Sequence, residues 1–405
     1  MSISEDERER QKEHLRNQMI DGKKSAARPF DFLRKSRRNR VLFAVIAAAA
    51  AAAAILLAGL YGKYHTWTTY SVRWETAMNN TSAADFAVLG SSILKAGRDG
   101  VQCISQQDGE ISWMSSYSMD EPQLRVSGDY ALVYDADGQD AVIFDEEGAV
   151  GAFTTPSAIS MADLSERGVA VVILEGTDSS TVSYYSKEGR QLDISVNLTS
   201  SSSGYPIAMA VSPDGTKLAI SSYVISGASG SCSLTVYSFD STSEAADHVI
   251  GTLDYSETDS FVPLLFFTAN DSLVTAADNR LDLIAVKDQL EDTTVSITGG
   301  VLRAFHSGDR IGLLIRGDSG IRIEIYNDQG ESRGTLEEED LFDSYAFAGD
   351  DILMVSEDRI RIRSVDGKVR YDQDFLNTIY SVVSAGKSGR LYVAGKDSLQ
   401  CISLR

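Results

Sequence analysis

Cysteine, histidine and proline are scarce in this chain. Its 405 residues include three Cys, six Pro and four His. Three cysteines are too few for the disulfide framework of a small secreted scaffold, and the two histidines beyond residue 65 are too few for a His-rich metal centre. The motifs G-x-S-x-G and H-E-x-x-H and the P-loop are missing, so the common hydrolase, metalloprotease and nucleotide-binding signatures are not found.

Positive charge is scarce beyond residue 60. Residues 1–40 contain 12 Lys and Arg against seven Asp and Glu, residues 41–60 contain no charged residue, and residues 61–405 contain 25 against 51. The long C-terminal part therefore carries a formal charge of −26. Because an acidic surface repels phosphate groups, nucleic acid is excluded as a partner of this part. The same charge favours a basic protein, a basic peptide or a cationic ligand.

One long apolar run, from Val41 to Leu60, separates the basic N-terminal part from the acidic C-terminal part. Twenty helical residues span about 30 Å, the thickness of a bilayer's hydrocarbon core. Tyr61, Tyr64 and Trp67 follow, as an interfacial aromatic belt would. The sequence therefore predicts a transmembrane signal-anchor in the plasma membrane, with a cytoplasmic basic tail (1–40) and an extracytoplasmic remainder by the positive-inside rule. A cleaved signal peptide is the alternative, although its basic region would be unusually long.

The remainder of the chain, residues 85–405, consists of short apolar or alternating runs separated by Gly, Asp, Asn and Ser. This pattern is typical of strands and turns. A unit of about 42 residues recurs, and four antiparallel strands of that total length form one propeller blade. The units begin near Asp85, Gln123, Ser157, Pro206, Phe261, Val301, Asp343 and Tyr380. The prediction is an all-β, eight-bladed β-propeller of four-stranded antiparallel blades, with seven blades as the alternative.

The two ends of this region resemble each other. LKAGRDGVQCIS (Leu94–Ser105) and YVAGKDSLQCIS (Tyr392–Ser403) are identical at seven of twelve positions. The eighth unit reaches Arg405 after three strands, whereas TTYSVRWETAM, which lies in the juxtamembrane segment 61–84, alternates like a strand. We predict that this segment supplies the fourth strand of the last blade, which leaves no open sheet edge.

Two hairpins carry a resemblance to known families. AMAVSPDGTKLAIS (Ala208–Ser221) resembles the strand–SPDG–strand hairpin of TolB-type and WD40-like propellers, and CISQQDGEISW (Cys103–Trp113) resembles the quinoprotein-like repeat. With its N-terminal anchor, the chain is similar over residues 41–405 to a bacterial family of single-pass, membrane-anchored propeller proteins defined by a domain of unknown function. Tryptophan follows the glycine in one hairpin only, so the resemblance implies the fold and no quinone cofactor.

A candidate calcium loop lies in YDADGQDAV. Asp135, Asp137 and Asp140 surround a glycine, and carboxylate oxygens are the ligands that Ca²⁺ prefers. The sequence therefore predicts these three residues as a metal site, with an Asp-rich hairpin turn as the alternative. Calcium is the one cofactor that the sequence suggests.

Three further sets of residues were considered for chemistry. His306 is a candidate catalytic residue near a strand end, although a lone His beside Gly and Asp is typical of a turn. Glu337–Asp340 is predicted to be a solvated loop between blades or part of an acidic patch. Cys103 and Cys401 occupy equivalent repeat positions in adjacent blades, too far apart to bridge, and we expect them and Cys232 to be free, buried thiols.

These observations favour a binding or scaffolding module over an enzyme. A propeller presents rigid faces whose loops carry function, and the sequence shows no catalytic constellation. We therefore expect an extracytoplasmic module that binds an envelope protein, a peptide or another ligand at the outer face of the membrane. The alternative is an extracytoplasmic hydrolase, lyase or quinone-type oxidoreductase with its site in the propeller channel.

Overall fold

The chain divides into two compact units, residues 1–65 and 66–405. The computed structural model of the protein describes residues 9–10, 12–16, 44–53, 65–81, 83–226, 229–240, 248–256, 260–317, 320–387 and 389–405.

In the first unit, the described residues 9–10, 12–16 and 44–53 are helical and exposed. Among the residues that the structure describes, no helix has both the length and the apolar character needed to cross a bilayer. Residues 41–43 and 54–60 of the predicted span lie outside the described residues. The transmembrane segment and the topology stay predictions.

The second unit is a β-propeller. Its described residues form 32 strands in eight four-stranded antiparallel sheets. The strands of blades 1 to 4 are β2 (Asp85–Leu89), β3 (Ser92–Gly97), β4 (Gly100–Ser105) and β5 (Ile111–Ser116); β6 (Pro122–Ser127), β7 (Tyr130–Asp135), β8 (Asp140–Asp145) and β9 (Gly148–Thr154); β10 (Ile159–Leu164), β11 (Ala170–Leu174), β12 (Ser179–Tyr185) and β13 (Gln191–Thr199); β14 (Tyr205–Val211), β15 (Lys217–Ser226), β16 (Ser229–Ser238) and β17 (Val249–Asp254). The strands of blades 5 to 8 are β18 (Leu264–Ala269), β19 (Ser272–Ala277), β20 (Arg280–Val286) and β21 (Leu290–Ser296); β22 (Gly300–Ser307), β23 (Arg310–Gly317), β24 (Gly320–Asn327) and β25 (Ser332–Glu338); β26 (Ser344–Ala348), β27 (Asp351–Val355), β28 (Arg359–Ser364) and β29 (Val369–Asp374); β30 (Ile379–Val383), β31 (Arg390–Gly395), β32 (Ser398–Leu404) and β1 (Tyr70–Ala77). The helical turn Ser200–Ser203 links blades 3 and 4.

The last blade confirms the predicted closure. Its strand order is β30–β31–β32–β1. Strand β1, which precedes the first blade in the sequence, therefore supplies the fourth strand of the sheet formed by the last three strands of the chain. The pairing between β1 and β32 runs from Tyr70 opposite Leu404 to Ala77 opposite Ser398. First strands contact one another in blades 1 to 5 and in blades 6 and 7, and β2 contacts β30, which joins the last blade to the first. The prediction of eight blades is confirmed, and the seven-bladed alternative is wrong.

The core lies between the blades. In the described part of the chain, eight buried apolar clusters each join two neighbouring sheets. The cluster between blades 8 and 1, for example, packs Tyr392 and Cys401 against Ile93 and Ile104, with Trp74 of the closing strand at its edge. Strand positions alternate between the two sides of a sheet, so each blade buries residues on both sides and the ring forms one continuous core.

Candidate functional site

The connections of the propeller lie on two opposite faces. Strand β1 begins where β32 ends, because the backbones of Thr69 and Arg405 exchange hydrogen bonds of 3.0 and 2.8 Å. We call this side the terminal face; it carries the turns between first and second and between third and fourth strands. Antiparallel strands reverse direction at every turn. The opposite side, the connection face, therefore carries the turns between second and third strands and the links between blades.

Large apolar side chains are exposed on the connection face. They lie at the start of a first strand or in a link between blades: Tyr205, Phe261, Leu302, Leu341 and Leu376. Leu376 is fully exposed, at 106% relative accessibility, and Leu341 is 56% exposed. Ile225, near the end of β15, is exposed on the same face, whereas the other exposed apolar residues of this unit, such as Met114 and Val72, lie on outermost strands. Scattered exposed apolar residues are ordinary, whereas apolar groups gathered on one loop-bearing face are typical of an interaction surface.

A cavity of about 590 Å³ lies in the central channel between the first strands of blades 2 to 6. Arg125, Asp163, Glu166 and His306 contribute ionisable groups to its wall, beside Met161 and Met209. The cavity is large enough for a small ligand. It is the site that the sequence-based enzyme alternative requires.

Asp163 and His306 have different contacts in the channel. The Val211 N–H donates to Asp163 Oδ2 at 2.8 Å, and burial raises the pKa of this carboxyl above its ordinary value. The His306 ring is exposed to the channel and stacks on Phe266 with centroids 4.0 Å apart. Partial desolvation lowers the pKa of the imidazole. Among the described residues, no hydrogen bond joins His306 to Asp163 or Arg125.

The predicted calcium residues lie at one turn of blade 2. Asp135 ends β7 and its Oδ1 accepts the Glu121 N–H at 2.7 Å. Asp140 begins β8 and its Oδ1 accepts the Thr154 hydroxyl at 2.7 Å. Asp137 lies between them at the tip, with φ +60°. Within the described residues, no three His, Cys, Asp or Glu side chains are grouped as a metal site requires. The calcium loop stays a prediction.

The expectation of a solvated loop at Glu337–Asp340 is wrong for Glu338. Glu338 ends β25 and is buried. Arg361 and Arg363 both donate to its carboxylate, the latter from Nη1 to Oε2 at 2.9 Å. Alternate residues of β28 lie on one side of the sheet, so Arg359, Arg361 and Arg363 form a row against this acidic segment. The alternation RIRIRS was the sequence signal for this row.

The cysteines confirm their prediction. All three are free and buried, and burial raises the pKa of each thiol. Cys103 packs in the cluster between blades 1 and 2, whereas Cys401 packs between blades 8 and 1. Since facing sheets lie about 10 Å apart, blade 1 separates the two sulfur atoms.

Solved propellers resemble this fold. A crystal structure of BamB from Moraxella catarrhalis is 12% identical and covers 83% of this chain and 100% of its own, with a TM-score of 0.51. Sqt1 from Chaetomium thermophilum, bound to the N-terminus of the ribosomal protein L10, is 12% identical and covers 83% and 100%, with a TM-score of 0.58. Sqt1 from Saccharomyces cerevisiae is 11% identical and covers 83% and 98%, with a TM-score of 0.55. Identities this low show the fold alone.

Sequence comparison gives a closer relation. No protein with a curated description matches the chain. Residues 63–404 match a family of unknown function, DUF5711. The match covers the whole propeller, including the closing strand β1, and the chain therefore belongs to the DUF5711 family.

Proposed function

We propose that this protein is a membrane-anchored, extracytoplasmic propeller that binds or scaffolds an envelope protein or peptide. The observation that carries the proposal is the group of exposed apolar side chains on the connection face. Binding surfaces of proteins commonly centre on a few large apolar side chains surrounded by polar groups. The acidic charge of residues 61–405 supplies such polar surroundings.

Two further observations support a protein or peptide as the partner. The Chaetomium thermophilum Sqt1 structure, which has a similar fold, holds the N-terminus of a ribosomal protein. Function on such folds is carried by loops on a rigid frame, and the structure offers a rigid frame in which neighbouring blades share every buried cluster described above. The anchor rests on the apolar span 41–60 and its basic flank.

The channel cavity favours a second candidate, an extracytoplasmic hydrolase, lyase or quinone-type oxidoreductase. Its support is the volume of about 590 Å³ and the presence of Arg125, Asp163 and His306 around one cavity. We rank this candidate second because its titratable groups have other partners: Asp163 accepts the Val211 N–H, and His306 stacks on Phe266. The cavity is equally consistent with binding of a small ligand that undergoes no reaction.

The proposal is tested by photo-crosslinking of the full-length protein in its own membrane. A benzophenone amino acid replaces Phe261 on the connection face or Met114 on an outermost strand, as a matched exposed control. We expect protein adducts from position 261 and few from position 114. Equal adduct yields at both positions, or none at any connection-face position, would overturn a binding function of this face.

Topology is tested with the same chain. The native cysteines are buried, so they give little background with a membrane-impermeant maleimide. Leu376→Cys is expected to react in intact cells, whereas Ser2→Cys is expected to react only after lysis. Reaction of Ser2→Cys alone in intact cells would contradict the predicted orientation.

A further inference from the structure

Three segments meet at the connection-face end of blade 7. They are the link 339–343 into the blade, its turn 356–358 and the link 375–378 out of it. The Phe375 N–H donates to the Asp358 carbonyl and the Ile379 N–H to the Glu357 carbonyl, both at 2.6 Å, and the Asp343 N–H donates to the Val355 carbonyl at 2.9 Å. These backbone bonds hold the three segments as one surface, which we call the blade-7 patch.

Arginines of β28 fix the patch from beneath. Arg359 Nη1 and Arg361 Nη2 both donate to Asp340 Oδ2, at 2.9 and 3.0 Å. Both guanidinium groups lie over the ring of Phe342, at 6.0 and 5.2 Å from its centroid. Phe342 is buried, and its N–H donates to the Tyr345 hydroxyl at 2.9 Å. A surface that is held in this way loses little conformational entropy when a partner binds.

The outer side of the patch is apolar at two points and acidic around them. Leu341 and Leu376 project from the two links and are exposed. Glu339 and Glu357 are also exposed, and neither makes an ion pair among the residues that the structure describes. By contrast, Asp340 is already paired with arginine. The negative charge left for a partner therefore lies beside the two leucines.

We propose that the blade-7 patch docks a Lys- or Arg-containing segment of another protein, whose apolar side chains cover Leu341 and Leu376. This inference rests on the proposed binding function and specifies its partner. Charge complementarity selects a basic segment, since carboxylates left without a partner attract cations and reject acidic chains. The same carboxylates repel anionic lipid headgroups, so a protein segment is favoured over a membrane surface.

The test places the benzophenone probe at Leu376 in the full-length protein, with the probe at Phe261 as the comparison on the same face. We expect an adduct at position 376 whose crosslinked peptide is rich in Lys and Arg. The double variant Glu339→Lys/Glu357→Lys is expected to reduce this adduct roughly tenfold, which corresponds to about 1.4 kcal/mol. The matched control Glu147→Lys/Glu291→Lys reverses two exposed acidic residues elsewhere and is expected to leave the yield unchanged.

The outcomes separate the two proposals. Adducts at position 261 but none at 376 would overturn the blade-7 patch and leave the binding function standing. An adduct at 376 that is equally reduced by both double variants would show general electrostatic attraction and would also overturn the patch. The absence of adducts at both positions would remove the binding function itself. Crosslinked peptides poor in Lys and Arg would refute the basic partner.

Discussion

Replacing Asp351 by alanine is expected to destabilise the propeller by about 3 to 5 kcal/mol, because one partner of a buried ion pair is removed. Asp351 begins β27 and its side chain is 1% exposed, whereas the Arg370 side chain in β29 is 8% exposed. Arg370 Nη1 donates to Asp351 Oδ2 at 2.6 Å. Without this carboxylate, the buried arginine loses the charged partner that this hydrogen bond supplies.

The pair also fixes the segment that leads into the closing strand. The Arg370 guanidinium lies 4.4 Å from the centroid of the Trp67 ring, and the Trp67 N–H donates to the Arg370 carbonyl at 2.7 Å. A cation–π contact of this kind contributes about 1 kcal/mol. Trp67→Leu removes it but keeps an apolar side chain against the cluster between blades 7 and 8, so this variant is expected to have a smaller effect than Asp351→Ala. The order of the two variants tests whether the buried charge or the ring contributes more.

The assay is thermal denaturation of the detergent-solubilised full-length protein. Unfolding entropy of about 2.1 cal/mol/K per residue gives about 0.7 kcal/mol/K for the second unit, so Asp351→Ala is expected to lower Tm by about 4 to 7 °C. Arg333→Ala is the control, since it removes one partner of the exposed pair with Glu331 and is expected to cost less than about 1 kcal/mol. The apolar double variant Asp351→Leu/Arg370→Met is expected to recover most of the loss. A Tm for Asp351→Ala within one degree of that of Arg333→Ala, or a double variant no better than the single one, would refute the reasoning.

Three further predictions concern single features. The lowered pKa of His306 means that the unfolded chain binds a proton near pH 6.5 while the folded one does not; stability should therefore fall as pH drops below about 6.5, and His306→Gln should flatten this slope in urea titrations at pH 7 and 5. The three buried thiols should resist a thiol reagent in the native protein and react fully in guanidinium, and fast native labelling would contradict their burial. Gly109 has φ +78°, and an added Cβ would lie 2.5 Å from the Trp74 ring, so Gly109→Ala should cost about 2 to 4 kcal/mol. Gly386→Ala, with φ +70° and open space, should cost only about 1 kcal/mol, and equal costs in melting experiments would contradict the contact.

The repeat architecture could be predicted because its signals are local. Strand alternation and turn residues placed the first strands near Asp85, Gln123 and Phe261, and the structure begins them at Asp85, Pro122 and Leu264. The closing strand could be predicted from the missing fourth strand at Arg405 together with one alternating segment before the first blade. Both inferences need only the period of a strand and the rule that a ring leaves no open edge.

The candidate site could not be predicted in the same way, because it depends on contacts between blades. Glu338 belongs to blade 6 and its partners Arg361 and Arg363 belong to blade 7. From the sequence alone we expected the charge of Glu338 to be solvated, because nothing near Glu338 in the chain indicates that Arg361 and Arg363 pack against it. Similarly, the stacking of His306 on Phe266 joins blades 6 and 5, and no spacing within either repeat indicates it. Which residues meet across the interface between two blades depends on how the two whole sheets pack, and the sequence of a single repeat does not encode this.

Buried and exposed apolar residues of the ring differ in what they contribute to stability. The stability of the folded ring comes from the interfaces between neighbouring blades, where clusters such as that of Ile93 and Tyr392 bury apolar surface between two sheets. A side chain in a link, such as Leu376, belongs to no cluster described above, although burying a leucine is worth about 1.5 to 3 kcal/mol. The backbone bonds of the link hold its position without any contribution from that side chain. Leu376 therefore contributes little to folding, and the proposed partner of the blade-7 patch would bury it.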